Sequence, residues 1–141
     1  MPHPSQFLDT LLQVMRLMRR DYDTQAQAVG LTLSRARALT TLSRMDGATQ
    51  ADLAAALDIE APTLKRQLDA LERAGFVERR PDKDDGRKNA LFLTARGQDS
   101  SIVDFTRRMR ADLVAGIPAQ DLAVAQSVLD RIAANIARLD P

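Results

Sequence analysis

Between Glu78 and Lys88 the chain reads ERRPDKDDGRK, nine charged residues in eleven. Arg79, Arg80, Arg87 and Lys88 are side chains that hold phosphate oxygens, arginine through a planar fork and lysine as a point charge. Asp82, Asp84 and Asp85 stand among them. Facing phosphates, these acids would weaken such a grip; facing the arginines, they would orient them through charge-assisted bonds. Asp84-Asp85-Gly86 has turn chemistry, because glycine tolerates positive φ and aspartate supports a tight turn. The stretch therefore reads as a hairpin tip presenting cations, the alternative being a merely solvated charged loop. A second set of hydrogen-bonding residues lies upstream in APTLKRQLDALERAG, where Pro62, Thr63, Lys65, Arg66 and Gln67 occupy the first turns and the acids Asp69 and Glu72 follow. Helical spacing puts Leu64, Leu68 and Leu71 on the opposite, inward stripe. Such a helix can present its first two turns to base edges in the major groove, while a β-ribbon reaches the backbone or the minor groove. A solvated amphipathic helix would carry a similar pattern.

Other chemistry lacks its parts. There is no cysteine, which excludes disulfides, thiolate metal sites and a cysteine redox sensor, and the single histidine, His3, sits near one end. Neither a GxGxxG loop nor a Walker pattern is present, and hairpin acids in water would not form a perturbed carboxylate pair. The expectation is no enzyme, no cofactor and no metal. Net charge is only +1, so nucleic-acid binding would have to arise from local arrangement. Of 20 basic residues three are lysines and the rest arginines, a bias that suits bidentate recognition but that a GC-rich coding genome would also produce. At 141 residues, 45% hydrophobic and 28% charged, the chain fits one soluble globular domain, or one compact unit with a long extension. No apolar run reaches the roughly 18 residues of a membrane span. The segment MPHPSQFLDTLLQVM lacks a basic n-region and a cleavage site, so a cytoplasmic location is expected.

The elements that must position these residues are mostly helices. From Ser5 to Val29, Phe7, Leu11, Val14, Met18, Tyr22, Ala26 and Val29 form one stripe, widened by Leu8, Leu12 and Met15, and Gly30 is a natural stop. Thr32 can cap a second helix ending near Asp46-Gly47. Thr49, with Asp52 three residues on, starts a short helix with an acidic capping box. After Asp58-Ile59-Glu60 comes the helix carrying Lys65 and Arg66, with Pro62 in its first turn and Gly75 at its end. Phe76 to Arg80 and Lys88 to Leu93 read as strands. Thr94 is expected to cap one long helix through Ile102, Phe105, Met109 and Leu113, broken at Gly116. Pro118 opens a final helix striped by Leu122, Ala125, Leu129, Ile132, Ile136 and Leu139.

Helix, turn, helix and charged hairpin in this order make a winged helix-turn-helix. The segment from Thr49 to Gly97 resembles the DNA-binding core of the MarR family of bacterial transcriptional regulators. The family's wing pattern, Asp-x-x-Asp-x-Arg with alternating apolar positions and then Leu-Thr-x-x-Gly, is met by Asp82, Asp85, Arg87, Leu91, Leu93, Thr94 and Gly97. Leu71-Glu72-Arg73-x-Gly75-Phe76-Val77 also matches, and Ile59-Glu60-x-Pro62-Thr63-Leu64 resembles the branch of the salmolysin regulator SlyA. The likeness is strongest from Thr32 to Gly97. One departure is Gly86, where many members carry a basic residue.

The resemblance implies a mostly α fold with a small β-wing and long N- and C-terminal dimerisation helices: residues 1–30 for the first, 31–97 for the winged domain, 98–141 for linking and dimerisation. It implies a homodimer straddling a pseudo-palindromic double-stranded operator, with Pro62, Thr63, Lys65, Arg66 and Gln67 in the major groove. Arg79, Arg80, Arg87 and Lys88 belong to the wing, with Arg87 matching the family's minor-groove arginine and Asp82 and Asp85 as orienting acids. The apolar terminal helices agree with pairing, since a winged domain of about 65 residues cannot cover them; the alternative is that both ends fold back on their own domain. Similar proteins bind phenolic or aromatic acids between dimerisation helices and winged domain. Met15, Met18, Arg19 and Tyr22 could wall such a pocket, or Met15, Met18 and Tyr22 could be dimer core with Arg19 on the surface.

Overall fold

The computed structural model describes residues 3–139. Residues up to Arg108 form one compact unit and those from Met109 a second. In the first, α1 (Pro4–Ala28), α2 (Leu33–Leu42), α3 (Gln50–Leu57) and α4 (Ala61–Arg73) precede an antiparallel ribbon of β1 (Val77–Pro81) and β2 (Asn89–Leu93). The short α5 (Ala95–Gln98) and α6 (Ser101–Asp112) follow, the last turn of α6 falling past Arg108 in the second unit. Leu39 and Leu42 of α2, Leu53 of α3, Leu64, Leu68 and Leu71 of α4, Val77 and Leu91 of the ribbon, and Ile102 of α6 are fully buried together. Truncating any one of these leucines to alanine would cost about 2–5 kcal/mol. The end of α1 joins this core through Ala26 and the half-buried Tyr22 and Val29, so the unit extends beyond residues 31–97.

Caps follow the sequence closely. Thr32 accepts from the Arg35 amide at 3.2 Å. The Thr49 hydroxyl accepts from Asp52 N at 3.2 Å while the Asp52 carboxylate accepts from Thr49 N at 3.4 Å, a reciprocal capping box. Two expectations fail at element ends. The second helix stops at Leu42, not near Asp46-Gly47, because the wing takes that segment: Asp46 Oδ1 accepts from Leu93 N at 2.9 Å. Gly47 N donates to the Leu91 carbonyl at 2.7 Å and Leu91 N to the Ala48 carbonyl at 2.8 Å, so residues 46–49 serve as a partial third strand. Nor does Thr94 open one long helix. Its hydroxyl accepts from Gly97 N at 3.1 Å and donates to the Gly75 carbonyl, and α5 ends after four residues. The Ser100 carbonyl then starts α6 by accepting from Val103 N and Asp104 N.

In the second unit, Gly116 takes φ 79° and Pro118 precedes α7 (Ala119–Leu139). No residue of α7 is buried, and Val124, Leu129, Ile136 and Leu139 lie open. In the first unit Phe7, Leu8, Leu12, Val14, Met15 and Leu17 of α1 are open too. Among the described residues no helix is long and apolar enough to cross a membrane.

Candidate nucleic-acid interface

Helices α3 and α4 are joined by Asp58, Ile59 and Glu60, with Asp58 in the left-handed region at φ 54°. That turn lets Ile59 N bond back to the Ala54 carbonyl at 3.1 Å and swings α4 away from α3. Leu64, Leu68 and Leu71 anchor one face of α4 in the core. Pro62, Lys65 and Arg66 consequently stand exposed on the other, while Thr63 and Gln67 are half-buried beside Ser34 and Arg37 of α2. Glu60 provides no side-chain cap, so the first-turn amides of α4 stay open to an outside acceptor. The five residues read from the sequence do share one end of one helix.

The ribbon pairs Val77 with Leu93, Glu78 with Phe92, Arg79 with Leu91 and Arg80 with Ala90. Alternation sends neighbouring residues to opposite faces. Arg80 lies outward, paired with Glu78 and stacked 4.2 Å above the Phe92 ring. Arg79 turns inward to α4: its guanidinium meets Asp69 Oδ1 at 2.9 Å and Glu72 Oε1 at 3.0 Å, and its side chain is only 16% exposed. The expectation that Arg79 is a wing cation held by wing acids is therefore corrected; helix acids hold it, and little of it faces solvent.

At the tip, Asp82 N donates to the Lys88 carbonyl at 2.8 Å and Lys88 N to the Asp85 carbonyl at 3.0 Å. The tight turn is thus Asp85-Gly86-Arg87-Lys88, which takes in two residues of the expected Asp84-Asp85-Gly86 signal and runs on toward Lys88, and Gly86 does not use positive φ. A Cβ there would meet nothing within 4 Å. Asp85 Oδ1 accepts from Arg87 N at 3.0 Å and from Arg87 Nε at 3.3 Å. These bonds, the backbone one first, hold the Asp85 carboxyl below the usual carboxylate range. Arg87 is oriented yet 92% exposed. Asp82, expected to orient an arginine as well, has no such side-chain partner among the described residues; its contribution is the backbone bond that closes the loop. Arg87, Lys88 and Asn89 also face Thr49, Gln50 and Ala51 across a groove of ≈ 230 Å³ at the start of α3.

The four α1 residues read as a pocket wall are not brought together as one. Met15, Met18 and Arg19 are exposed, whereas the Tyr22 hydroxyl turns to Thr40 of α2. Burial pushes the Tyr22 phenol up from its ordinary value, partly countered by bonds to Thr40 and Thr106. Arg19 and Tyr22, three positions apart, thus serve different surroundings. Among the described residues no group of His, Cys, Asp or Glu could hold a metal ion. Sequence reasoning missed Asp69 and Glu72 as partners of Arg79, and Asp46 as the anchor of β2. The first pair was signalled by two acids one turn apart on α4; Asp46 lies 47 residues from its partner and left no local trace.

Residues 31–88 match the family model described as the MarR family. An uncharacterized HTH-type transcriptional regulator of Bacillus subtilis (strain 168), YdgJ, is 29% identical over 113 residues, covering 79% of this chain and 69% of that one. The solved transcriptional regulator PA3341 is 35% identical, with a TM-score of 0.73, over 94% of this chain and 98% of that one. The fold is also that of Streptococcus pneumoniae FabT, solved in complex with DNA: TM-score 0.74, 17% identity, 98% of this chain and all (100%) of that one.

Proposed function

The chain belongs to the MarR family, and on that premise we propose that it is a transcriptional regulator binding double-stranded operator DNA as a homodimer. The observation that carries this is the exposure, on one helix end, of Pro62, Lys65 and Arg66, together with an oriented and open Arg87 at the ribbon tip. A helix end fits the major groove, and an extended cation fits a narrow minor groove. Lys65, Arg66, Thr63 and Gln67 would read bases; Arg80, Arg87 and Lys88 would hold the backbone or minor groove. Two copies related by a twofold axis would set their α4 helices about one DNA turn apart on a pseudo-palindrome. The apolar residues that α1 and α7 leave open support pairing through residues 1–30 and 98–141. The Ile59–Leu64 segment supports a place in the SlyA-like branch.

A shift assay on the chain's own promoter region, titrated with salt, tests the assignment. Operator-selective binding that weakens steeply with salt is expected; equal, weak binding to all duplexes would defeat it. For an effector we place a small aromatic or phenolic acid against Met15, Met18 and Arg19, with the mate completing the wall. Calorimetry against a phenolic-acid panel should give heat and lowered operator affinity; no heat and no loss of operator affinity would retire the effector.

A further inference from the structure

Asp69 uses both of its oxygens. Oδ1 meets Arg79 of β1 at 2.9 Å, and Oδ2 meets Lys65, one turn back on α4, at 3.3 Å. Arg79 spans from Asp69 to Glu72, so one guanidinium clamps two successive turns of α4 to the ribbon. The two links differ in kind. The Lys65 pair is open to solvent, and such pairs hold weakly and yield to a better acceptor. In the Arg79 fork the arginine side chain is only 16% exposed, although Asp69 and Glu72 remain partly open at 38% and 45%. Both bonds are charge-assisted, a planar two-pronged geometry that lysine cannot reproduce. Two cations and two anions leave the cluster neutral, so Arg79 adds no net attraction for phosphate.

We infer that Asp69 and Arg79 are positioning residues that set DNA specificity: the fork fixes the angle of α4 against the wing, and the second Asp69 oxygen holds Lys65 along the helix until a base or phosphate takes it. The inference rests on the operator-binding function proposed above. It separates Arg79 from Arg80 and Arg87, which face outward.

The experiment uses the full chain and a duplex that the wild-type protein selects from genomic fragments, with a scrambled duplex of equal composition as reference. Anisotropy across a salt series gives the operator-to-scrambled affinity ratio and the salt slope. Asp69→Asn and Arg79→Lys should each lower the ratio by about five- to tenfold, the scale of one misplaced base contact, with the salt slope unchanged. In an Asp69→Asn/Glu72→Gln background, Arg79→Ala should lower the operator-to-scrambled ratio no further, because Arg79 acts on specificity through those acids. A slope shallower by about one per half-site would make Arg79 a phosphate contact, and an unchanged ratio would make the cluster mere packing; either overturns the inference. Melting temperatures identify variants that fail to fold, and the half-exposed Asp69→Asn keeps the test open if an Arg79 variant does. Failure of the wild type to select any duplex would overturn the function and the inference together, whereas selection with insensitive variants overturns the inference alone.

Discussion

Arg87 is held at its backbone amide and Nε by one carboxylate, while the rest of its side chain projects into solvent. An arginine so held loses little further freedom when it enters a narrow, A·T-rich groove, where the negative potential is concentrated. Arg87→Ala should cost about 1–3 kcal/mol per half-site and flatten the salt slope by about one unit each. Anisotropy and a thermal melt on the same preparation check this. Unchanged affinity with a lowered melting temperature would mean that Arg87 only neutralises Asp85. At this scale residue types were legible from the sequence but their directions were not. Arg79 and Arg80 look equivalent in the string ERRP, yet the two-residue period of a strand sends one to the helix and the other to Phe92. Asp85 and Asp82 look equivalent too. Only Asp85 sits where a turn folds the Arg87 amide back onto it.

Elements were legible wherever their determinants are local. The capping box at Thr49, the stripe of α4 and the Thr94–Gly97 pair all depend on residues within one turn. Gly97 shows why that last pair matters: a Cβ there would lie 2.2 Å from the Phe76 carbonyl oxygen. Gly97→Ala should therefore destabilise the fold by about 1–3 kcal/mol through overpacking, measured by urea unfolding; an unchanged midpoint would show that α5 can shift at no cost. The end of α2 was not legible, because a ribbon far along the chain claims Asp46 and Gly47. Tyr22 ties α1 to α2 through Thr40. Its phenol titrates above the ordinary 10.0 because burial disfavours the phenolate. Folded and unfolded states are both protonated below that value, so its contribution is intact at neutral pH and is lost as pH rises through the raised folded value. Tyr22→Phe should cost about 1 kcal/mol at pH 7 through the missing hydrogen bond and remove that part of the alkaline loss. Melts at neutral pH and above pH 10 test both.

For the whole molecule, α7 is the informative helix. Its stripe of Leu122, Leu129, Ile132, Ile136 and Leu139 was plain in the sequence, and the structure leaves none of it buried. Apolar surface of this extent calls for a mate. The wild-type chain should sediment as a dimer at micromolar concentration, and Ile136→Arg should shift it to monomer with loss of operator binding. A dimeric variant with normal affinity would place the interface elsewhere. A chain whose last helix depends on a second copy also ties its survival to its own abundance. Were α7 covered by such a mate, newly made copies that are few would remain single with α7 exposed to proteases, while plentiful copies would shelter one another. Degradation would then be fastest when the regulator is scarce, sharpening the threshold between a cell with none and a cell with enough to occupy its sites.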